Sequence, residues 1–177
     1  MKKLLLLVVF AAFGSALSAQ VMAPQPSPTG KIEQKVGLTD VTIEYSRPGM
    51  KGRSIFGDLV PYGKVWRTGA NANTKITFGD DVKIGGKDLK KGTYAIYTIP
   101  NQDSWEVMFY SKSDNWGVPQ EWDDSAVALK AEASVSTLPF DMETFTIMID
   151  DLDRFHRDHD PIFEFSMTIM IKNRSRS

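Results

Sequence analysis

Short stretches in which apolar and polar residues alternate constrain the fold of this chain more than any other feature. From Val41 to Ser46 (VTIEYS) every second residue is apolar, which places one set of side chains in a core and the other in water. The same period of two recurs at residues 75–78, 93–99, 105–110 and 144–149. This pattern predicts β-strands that are each buried on one face.

Turn-forming residues separate these stretches, at residues 79–81, 85–86, 90–92 and 100–103. No window between them sustains a helical period, although residues 125–133 are ambiguous between helix and strand. Several short strands with regularly spaced turns predict an all-β protein. We expect a single antiparallel β-sandwich or flattened barrel that carries a long Gly/Arg-rich loop region.

Composition limits the classes of function that are open to the chain. Its 177 residues, 42% of them hydrophobic, are enough for one sizeable core. A formal net charge of −1 provides no field that would attract nucleic acid, so we expect no nucleic-acid partner. The absence of cysteine excludes disulfides, thiolate catalysis and cysteine metal sites.

The first residues predict export from the cytoplasm. Lys2 and Lys3 precede an apolar run and a small-residue exit, which is the layout of a signal peptide over residues 1–19. Residues 20–30 form a proline-rich extended leader, and residues 31–177 form the single domain. No later stretch is apolar enough to span a membrane. We therefore expect a periplasmic or extracellular protein, and the sequence leaves its oligomeric state open.

Several long motifs identify a resemblance to a known family. They are YSRP at residues 45–48, KGRSIFGDLVPYGKVWRTGANANT at 51–74, GGKDLKKGTYAIYTIP at 85–100 and WEV at 105–107. With these motifs the chain resembles the DUF2911 family over roughly Gly30 to Asp151. The resemblance implies an exported, β-rich bacterial protein of a kind frequent in Bacteroidetes. It implies no catalytic residues, because the family is defined without an assigned function.

The segment from Tyr45 to Phe78 gathers cations among glycines, and Asp58 is its only acid. Two interpretations are open. The cations could converge on a small polar or anionic ligand, with Arg47, Lys51, Arg67, Asn71 and Asn73 as candidate contacts. Alternatively, they could bond to backbone carbonyls of a folded loop, the role that we expect for Arg53. In that interpretation the apolar residues of the segment close one end of the sandwich: Ile55, Phe56, Leu59 and Trp66.

A second candidate surface is the segment SDNWGVPQEWDD at residues 113–124. Trp116 and Trp122 flank glycine and proline in what must be a loop. Exposed tryptophans beside acids and amides can stack on sugar rings, which would make this a glycan-binding surface. The other interpretation is that each tryptophan folds back and anchors the loop to the core.

Near the end of the chain, His156 and His159 lie among aspartates and are candidate metal ligands. The simpler interpretation is a polar turn before a last strand at 162–171. A third hypothesis concerns the gene. The family resemblance implies a Thr/Ser/Asp turn and an alternating final strand here, and the codons of residues 152–159 (LDRFHRDH), shifted by one base, can encode Leu-Thr-Asp-Ser-Thr-Ala-Thr. Residues 152–177 would then result from a frameshift.

Catalytic chemistry has little support in the sequence. No histidine lies near Ser46 or Ser54, so these serines cannot build a Ser-His-acid triad. The carboxylates of Glu44, Asp58, Glu106 and Glu121 leave a hydrolase open, for example one acting on a glycan. No cofactor motif is present. We therefore expect an exported, non-catalytic β-domain that binds a small polar ligand, a glycan or a protein partner, with a carboxylate-dependent hydrolase as the alternative.

Overall fold

The computed structural model describes residues 25–150 and the strand at residues 166–170. Within these ranges the protein is nearly all β, which confirms the predicted fold class. The strands are β1 (Thr29–Val36), β2 (Thr39–Ser46), β3 (Thr74–Phe78), β4 (Val82–Ile84), β5 (Lys87–Leu89), β6 (Gly92–Pro100), β7 (Ser104–Tyr110), β8 (Val127–Ser134), β9 (Thr146–Asp150) and β10 (Ser166–Met170). One 3₁₀ turn, Asp124–Ala126, precedes β8.

Six strands form an antiparallel sheet in the order β1-β2-β3-β6-β7-β8. The strands β4–β5 and β9–β10 form two separate two-stranded ribbons. Within the described residues the large sheet stays open, with β1 and β8 at its edges, so it does not close into a barrel. The β4–β5 turn uses Gly85 and Gly86, whose φ angles of 55° and 76° meet the positive values that a tight hairpin requires.

One face of the large sheet holds the main core. Ile43, Ile76 and Ile96 lie on neighbouring strands and are fully buried. They belong to one cluster with residues of the two ribbons: Val82, Ile84, Leu89, Phe145, Ile147 and Ile149. Burying one such side chain stabilises the fold by roughly 1.5–3 kcal/mol, so the alternation in the sequence determines which face the ribbons cover.

The opposite face of the sheet is covered over only part of its width. Tyr97, Met108 and Tyr110 are buried there beneath Ala126 and Trp122. Towards β1 the same face carries charge instead, because Lys31, Glu44 and Lys75 stand opposite one another across β1, β2 and β3. The segment that covers the aromatic part, which follows β7, is the one that carries the two loop tryptophans.

Apolar residues of the glycine-rich segment form a third cluster. Ile55 and Phe56 are buried with Met50 and Val60, and Trp66 packs against them. The rings of Phe56 and Trp105 meet edge to face at a centroid distance of 4.7 Å. The expectation for Leu59 is wrong, because this side chain is 54% exposed on a turn that directs it outwards.

Two further expectations concern where secondary-structure elements begin and end. The ambiguous residues 125–133 contain a short 3₁₀ turn followed by β8, an edge strand on which polar and apolar residues mix. β1 begins at Thr29, two residues before the expected start of the domain. The signal peptide at 1–19, the leader up to residue 24, and residues 151–165 and 171–177, which include most of the predicted polar turn and both ends of the predicted last strand at 162–171, lie outside the described residues. In the described part no helix is long and apolar enough to cross a membrane.

Candidate ligand-binding face

The first component of the site is a loop that interrupts the pairing of the chain with β6. Trp66 pairs with Thr98 of β6, and Thr74 pairs with Ile96. The chain therefore advances two residues along β6 while it passes through residues 67–73 (RTGANAN), which we call the RTGANAN loop. Its base is closed by the Thr74 amide, which donates to the Arg67 carbonyl at 3.4 Å.

The RTGANAN loop holds an unfavourable backbone conformation. Thr68 has a φ of 55° although it is β-branched, and Asn71 has a φ of 58°. The Thr68 side chain is fully buried, with its hydroxyl 3.1 Å from that of Thr98, and its carbonyl accepts from the Thr74 hydroxyl at 2.5 Å. Such strain costs of order 1–3 kcal/mol and persists only where surrounding contacts impose it, which is common at binding sites.

The second component is the loop at residues 111–123, which we call the tryptophan loop. Lys112 and Asp123 close its base with an ion pair of 2.6 Å, and the hydrogen bond from Lys112 lowers the pKa of Asp123 to about 2. The Ser111 amide adds a hydrogen bond to the Ala126 carbonyl at 2.8 Å. These two contacts hold together the ends of the loop, where the chain leaves β7 and where it returns to β8.

Asn73 joins the two loops. Its carboxamide oxygen accepts from the Asn115 amide at 2.9 Å, and its nitrogen donates to the Ser113 carbonyl at 3.0 Å. The Asn73 backbone amide also donates to the Asn115 carbonyl at 3.2 Å. Because the side chain is only 3% exposed, Asn73 supports the site as a joint between the loops and does not face solvent as a ligand contact would.

Tyr97 and Arg67 hold the tip of the tryptophan loop. The buried Tyr97 hydroxyl donates to the Gly117 carbonyl at 3.0 Å, and burial raises the pKa of this phenol to about 12. Arg67 is half-buried, and its Nη1 atom donates to the Asn71 carbonyl at 2.9 Å. The same Nη1 atom lies 3.1 Å from the place that a Cβ atom would take on Gly117. Arg67 thus contacts both loops.

The two loop tryptophans have opposite environments. Trp116, next to Gly117, is 78% exposed. Trp122 instead stacks on Tyr110 at a centroid distance of 4.7 Å and meets Tyr97 edge to face, while its indole nitrogen donates to Asp124 at 3.0 Å. Trp122 therefore packs as an anchor, and Trp116 is the tryptophan that is presented to solvent.

Asn71 extends this surface towards β2. Its side-chain nitrogen reaches the Ser46 hydroxyl at 3.5 Å and the Ser27 carbonyl at 3.4 Å. Arg47 follows Ser46, and its aliphatic part crosses Gly30 so closely that a Cβ atom there would lie 2.9 Å from Cδ. The Nε atom of Arg47 is buried, and no described residue accepts its proton. Asn71, Arg67 and Trp116 thus lie on two loops that Asn73 joins, and we call the exposed side of these loops the loop face. Arg47 lies apart from it, because its Cδ atom and the Tyr45 ring both stand beside Gly30 on the core-facing side of β2.

Lys51 and Arg53 belong to a different contact. Residues 48–51 pair with residues 143–145, and the Lys51 amide donates to the Glu143 carboxylate at 2.9 Å. Arg53 donates from Nε to the Met50 carbonyl at 2.9 Å and from Nη2 to the Gly49 carbonyl at 2.8 Å. These are bonds that stabilise a turn, although the Arg53 side chain is exposed. The cations of the segment are thus divided between two places.

The arginines differ from the lysines in their partners. Seven ion pairs link described residues, and lysine supplies the cation in every one. None of the described arginines, Arg47, Arg53 and Arg67, pairs with a carboxylate of the described residues. The loop face therefore carries positive charge that the described residues leave without an anionic partner.

Metal chemistry has no site in the described part of the chain, where no group of three or more His, Asp or Glu side chains could hold an ion. The candidate ligands His156 and His159 lie outside the described residues. The further hypothesis of a frameshift concerns residues 152–177, of which only the strand 166–170 is described.

Comparison with known proteins supports the resemblance that the motifs indicate. Residues 27–159, well over half of the chain, match the family described as "Protein of unknown function (DUF2911)". The chain belongs to the DUF2911 family. No curated protein and no solved structure matches the chain. The matched range in this DUF2911 protein includes both loops of the loop face and every strand from β1 to β9.

Three residues of the DUF2911 site were missed by sequence reasoning: Thr68, Tyr97 and Gly117. Tyr97 is buried in a strand, and its hydroxyl was the available signal, because a buried phenol requires a hydrogen-bond acceptor. Gly117 follows an exposed tryptophan, and its φ of 86° suits glycine alone at low cost. Nothing in the sequence indicates the positive φ of Thr68.

Proposed function

We propose that this protein is a non-catalytic binding domain whose loop face takes a small polar ligand or a glycan. The observation that carries the proposal is the exposure of Trp116, 78%, on a loop whose neighbouring residues are hydrogen-bonded to the body of the domain. A large aromatic ring that is exposed to solvent can stack on a sugar ring, and with only two side-chain torsions it loses little conformational entropy in doing so.

The surroundings of Trp116 support the same proposal. Arg67 and Asn71 carry hydrogen-bond donors on the RTGANAN loop, which Asn73 joins to the tryptophan loop. Strain at Thr68 and Asn71 indicates that the fold maintains this loop conformation at a cost. A preformed site of this kind binds without paying to order its own loops.

A panel of soluble neutral and acidic oligosaccharides tests the proposal. Binding is measured by isothermal titration calorimetry with the wild type and with Trp116→Ala. Leu38→Ala is the matched control, because Leu38 is 79% exposed and lies in the β1–β2 turn. We expect at least one saccharide to bind to the wild type and to Leu38→Ala, and to bind Trp116→Ala at least tenfold more weakly. Equal binding by all three proteins, or by none, would contradict the proposal.

The second candidate function is a carboxylate-dependent hydrolase, and one observation favours it. Glu106 of β7 and Glu132 of β8 stand opposite each other and line an open depression of about 350 Å³ together with Lys87, Asn101, Ser104, Lys130 and Ala131. Cross-strand neighbours lie at a separation that resembles the carboxylate pair of a retaining glycosidase. Lys130 bonds to Glu106 at 3.2 Å, as a plain surface ion pair also would. Turnover of a chromogenic glycoside that disappears in Glu106→Gln would favour this candidate.

The proposal includes the cellular compartment in which the protein functions. We propose that residues 1–19 direct export and are removed, so that the domain functions in the periplasm or outside the cell. The intact mass of protein recovered from the cell envelope measures this. A mass that begins after Ala19 is expected, whereas one that retains Met1 contradicts export by this route.

A further inference from the structure

The positive charge of the loop face indicates what kind of ligand it accepts. Arg67 is half-buried, and the only hydrogen bond that its guanidinium makes among the described residues is to the Asn71 carbonyl, at 2.9 Å. The guanidinium group has five donor hydrogens, so most of its capacity is unused. Desolvating a cation is costly unless an anion or several acceptors compensate. An anionic ligand group at Arg67 would complete its hydrogen bonding.

The position of Arg67 beside Gly117 limits the class of ligand further. Arg67 Nη1 lies 3.1 Å from the Cβ position of Gly117, the residue that directly follows Trp116. Arg67 therefore lies beside the tryptophan loop at the residue next to Trp116, so a ligand that covers both loops can reach its guanidinium. The planar fork of arginine matches a carboxylate in two parallel hydrogen bonds. A sugar ring with a carboxylate attached would satisfy both residues at once.

We propose that the loop face binds a saccharide that contains a hexuronic acid unit. The sugar ring stacks on Trp116, its carboxylate accepts from Arg67, and the Asn71 carboxamide bonds to a neighbouring hydroxyl. This inference rests on the proposed function, and it specifies the ligand class of the same site.

The experiment compares two ligands that differ in charge alone: oligogalacturonate and the same oligosaccharide with its carboxylates reduced to alcohols. Calorimetric titrations use the wild type, Arg67→Gln, Trp116→Ala and Lys64→Gln. Lys64→Gln is the matched control, because Lys64 is an exposed cation of the same segment and its replacement removes the same charge. Far-ultraviolet circular dichroism verifies the fold of each variant, and Arg67→Lys serves as a second variant that retains the charge.

We expect the wild type and Lys64→Gln to bind the acid at least tenfold more tightly than the reduced form. Arg67→Gln should lose that preference, Arg67→Lys should retain part of it, and Trp116→Ala should weaken both ligands. The preference should also decline as salt is raised from 50 to 500 mM, on the scale of the Debye length.

Two results would contradict the inference while leaving the proposed function standing, and a third would contradict both. If the reduced form binds as tightly as the acid and this binding depends on Trp116, the loop face binds sugars but does not select carboxylates. If Arg67→Gln retains the full preference, another cation is responsible. If neither ligand binds and no neutral saccharide of the panel binds, both the inference and the proposed function are wrong.

Discussion

The Nη1 atom of Arg67 lies 3.1 Å from the position that a Cβ atom would occupy on Gly117. These residues belong to two loops that are 50 residues apart in the chain, and at this point the loops touch. The Arg67 cation therefore lies beside the residue that follows the exposed Trp116, and two segments that the sequence presents separately lie side by side.

Replacing Gly117 with alanine should therefore disturb the site more than the fold. A Cβ at a φ of 86° costs about 1–2 kcal/mol in backbone strain, and it displaces the Arg67 guanidinium by a few tenths of an ångström. Gly63→Ala is the matched control, because Gly63 has a φ of 69° and no atom within 4 Å of its Cβ position. We expect similar losses of stability on urea denaturation, and weaker saccharide binding for Gly117→Ala alone. Equal affinities would show that the contact is irrelevant to binding.

The strands were predictable because their cause is local. Alternation between Val41 and Ser46 records burial on one face, and the structure buries the residues of that face. For Thr93–Ile99 the expectation of one buried face is wrong: residues 94–98 of β6 are all buried, alternately in the main core and beneath the residues that cover the opposite face. The loop face could not be predicted, because it depends on hydrogen bonds between residues that are far apart in the sequence. Asn73 was assigned to a ligand, yet it bonds to Ser113 and Asn115, about 40 residues away. Local patterns contain no information on such pairings.

Asn73→Ala should destabilise the fold and loosen the tryptophan loop. The change leaves the Asn115 amide and the Ser113 carbonyl without their partners, which costs about 1–3 kcal/mol when such groups are buried. Hydrogen exchange at the Asn115 amide should accelerate accordingly. The exposed Asn101→Ala should change stability by less than about 0.5 kcal/mol. Unchanged protection of Asn115 in Asn73→Ala would refute the role of Asn73 as the joint.

Tyr97 should make stability dependent on pH in the alkaline range. Burial raises the pKa of its phenol to about 12, above the usual value of about 10, so the folded state favours the protonated form. Its contribution is therefore fully present below pH 10 and is lost as pH rises through 12. Free energies of unfolding between pH 8 and 12 should fall more steeply for the wild type than for Tyr97→Phe. Parallel curves would mean that Tyr97 titrates as an ordinary tyrosine.

Arg53 and Arg67 should respond differently to truncation. Arg53 donates two hydrogen bonds to carbonyls of its own turn, so Arg53→Ala should lower stability by about 1 kcal/mol. Arg67 donates one hydrogen bond, and we expect Arg67→Ala to affect binding more than folding. Thermal melts of the two variants measure the difference. If Arg67→Ala melts well below Arg53→Ala, the two roles are reversed.

The central claim is that Trp116 contacts the ligand while the other tryptophans support the fold. The chain has four tryptophans, and each gives one indole N–H signal in a ¹H–¹⁵N spectrum. The most direct measurement follows these four signals during titration with the oligosaccharide panel. We expect the Trp116 signal to shift with increasing ligand, while the signals of Trp66 and Trp105, which pack against the cluster of Met50, Ile55, Phe56 and Val60, stay in place. A Trp116 signal that does not move at saturating concentrations of every saccharide would contradict the central claim.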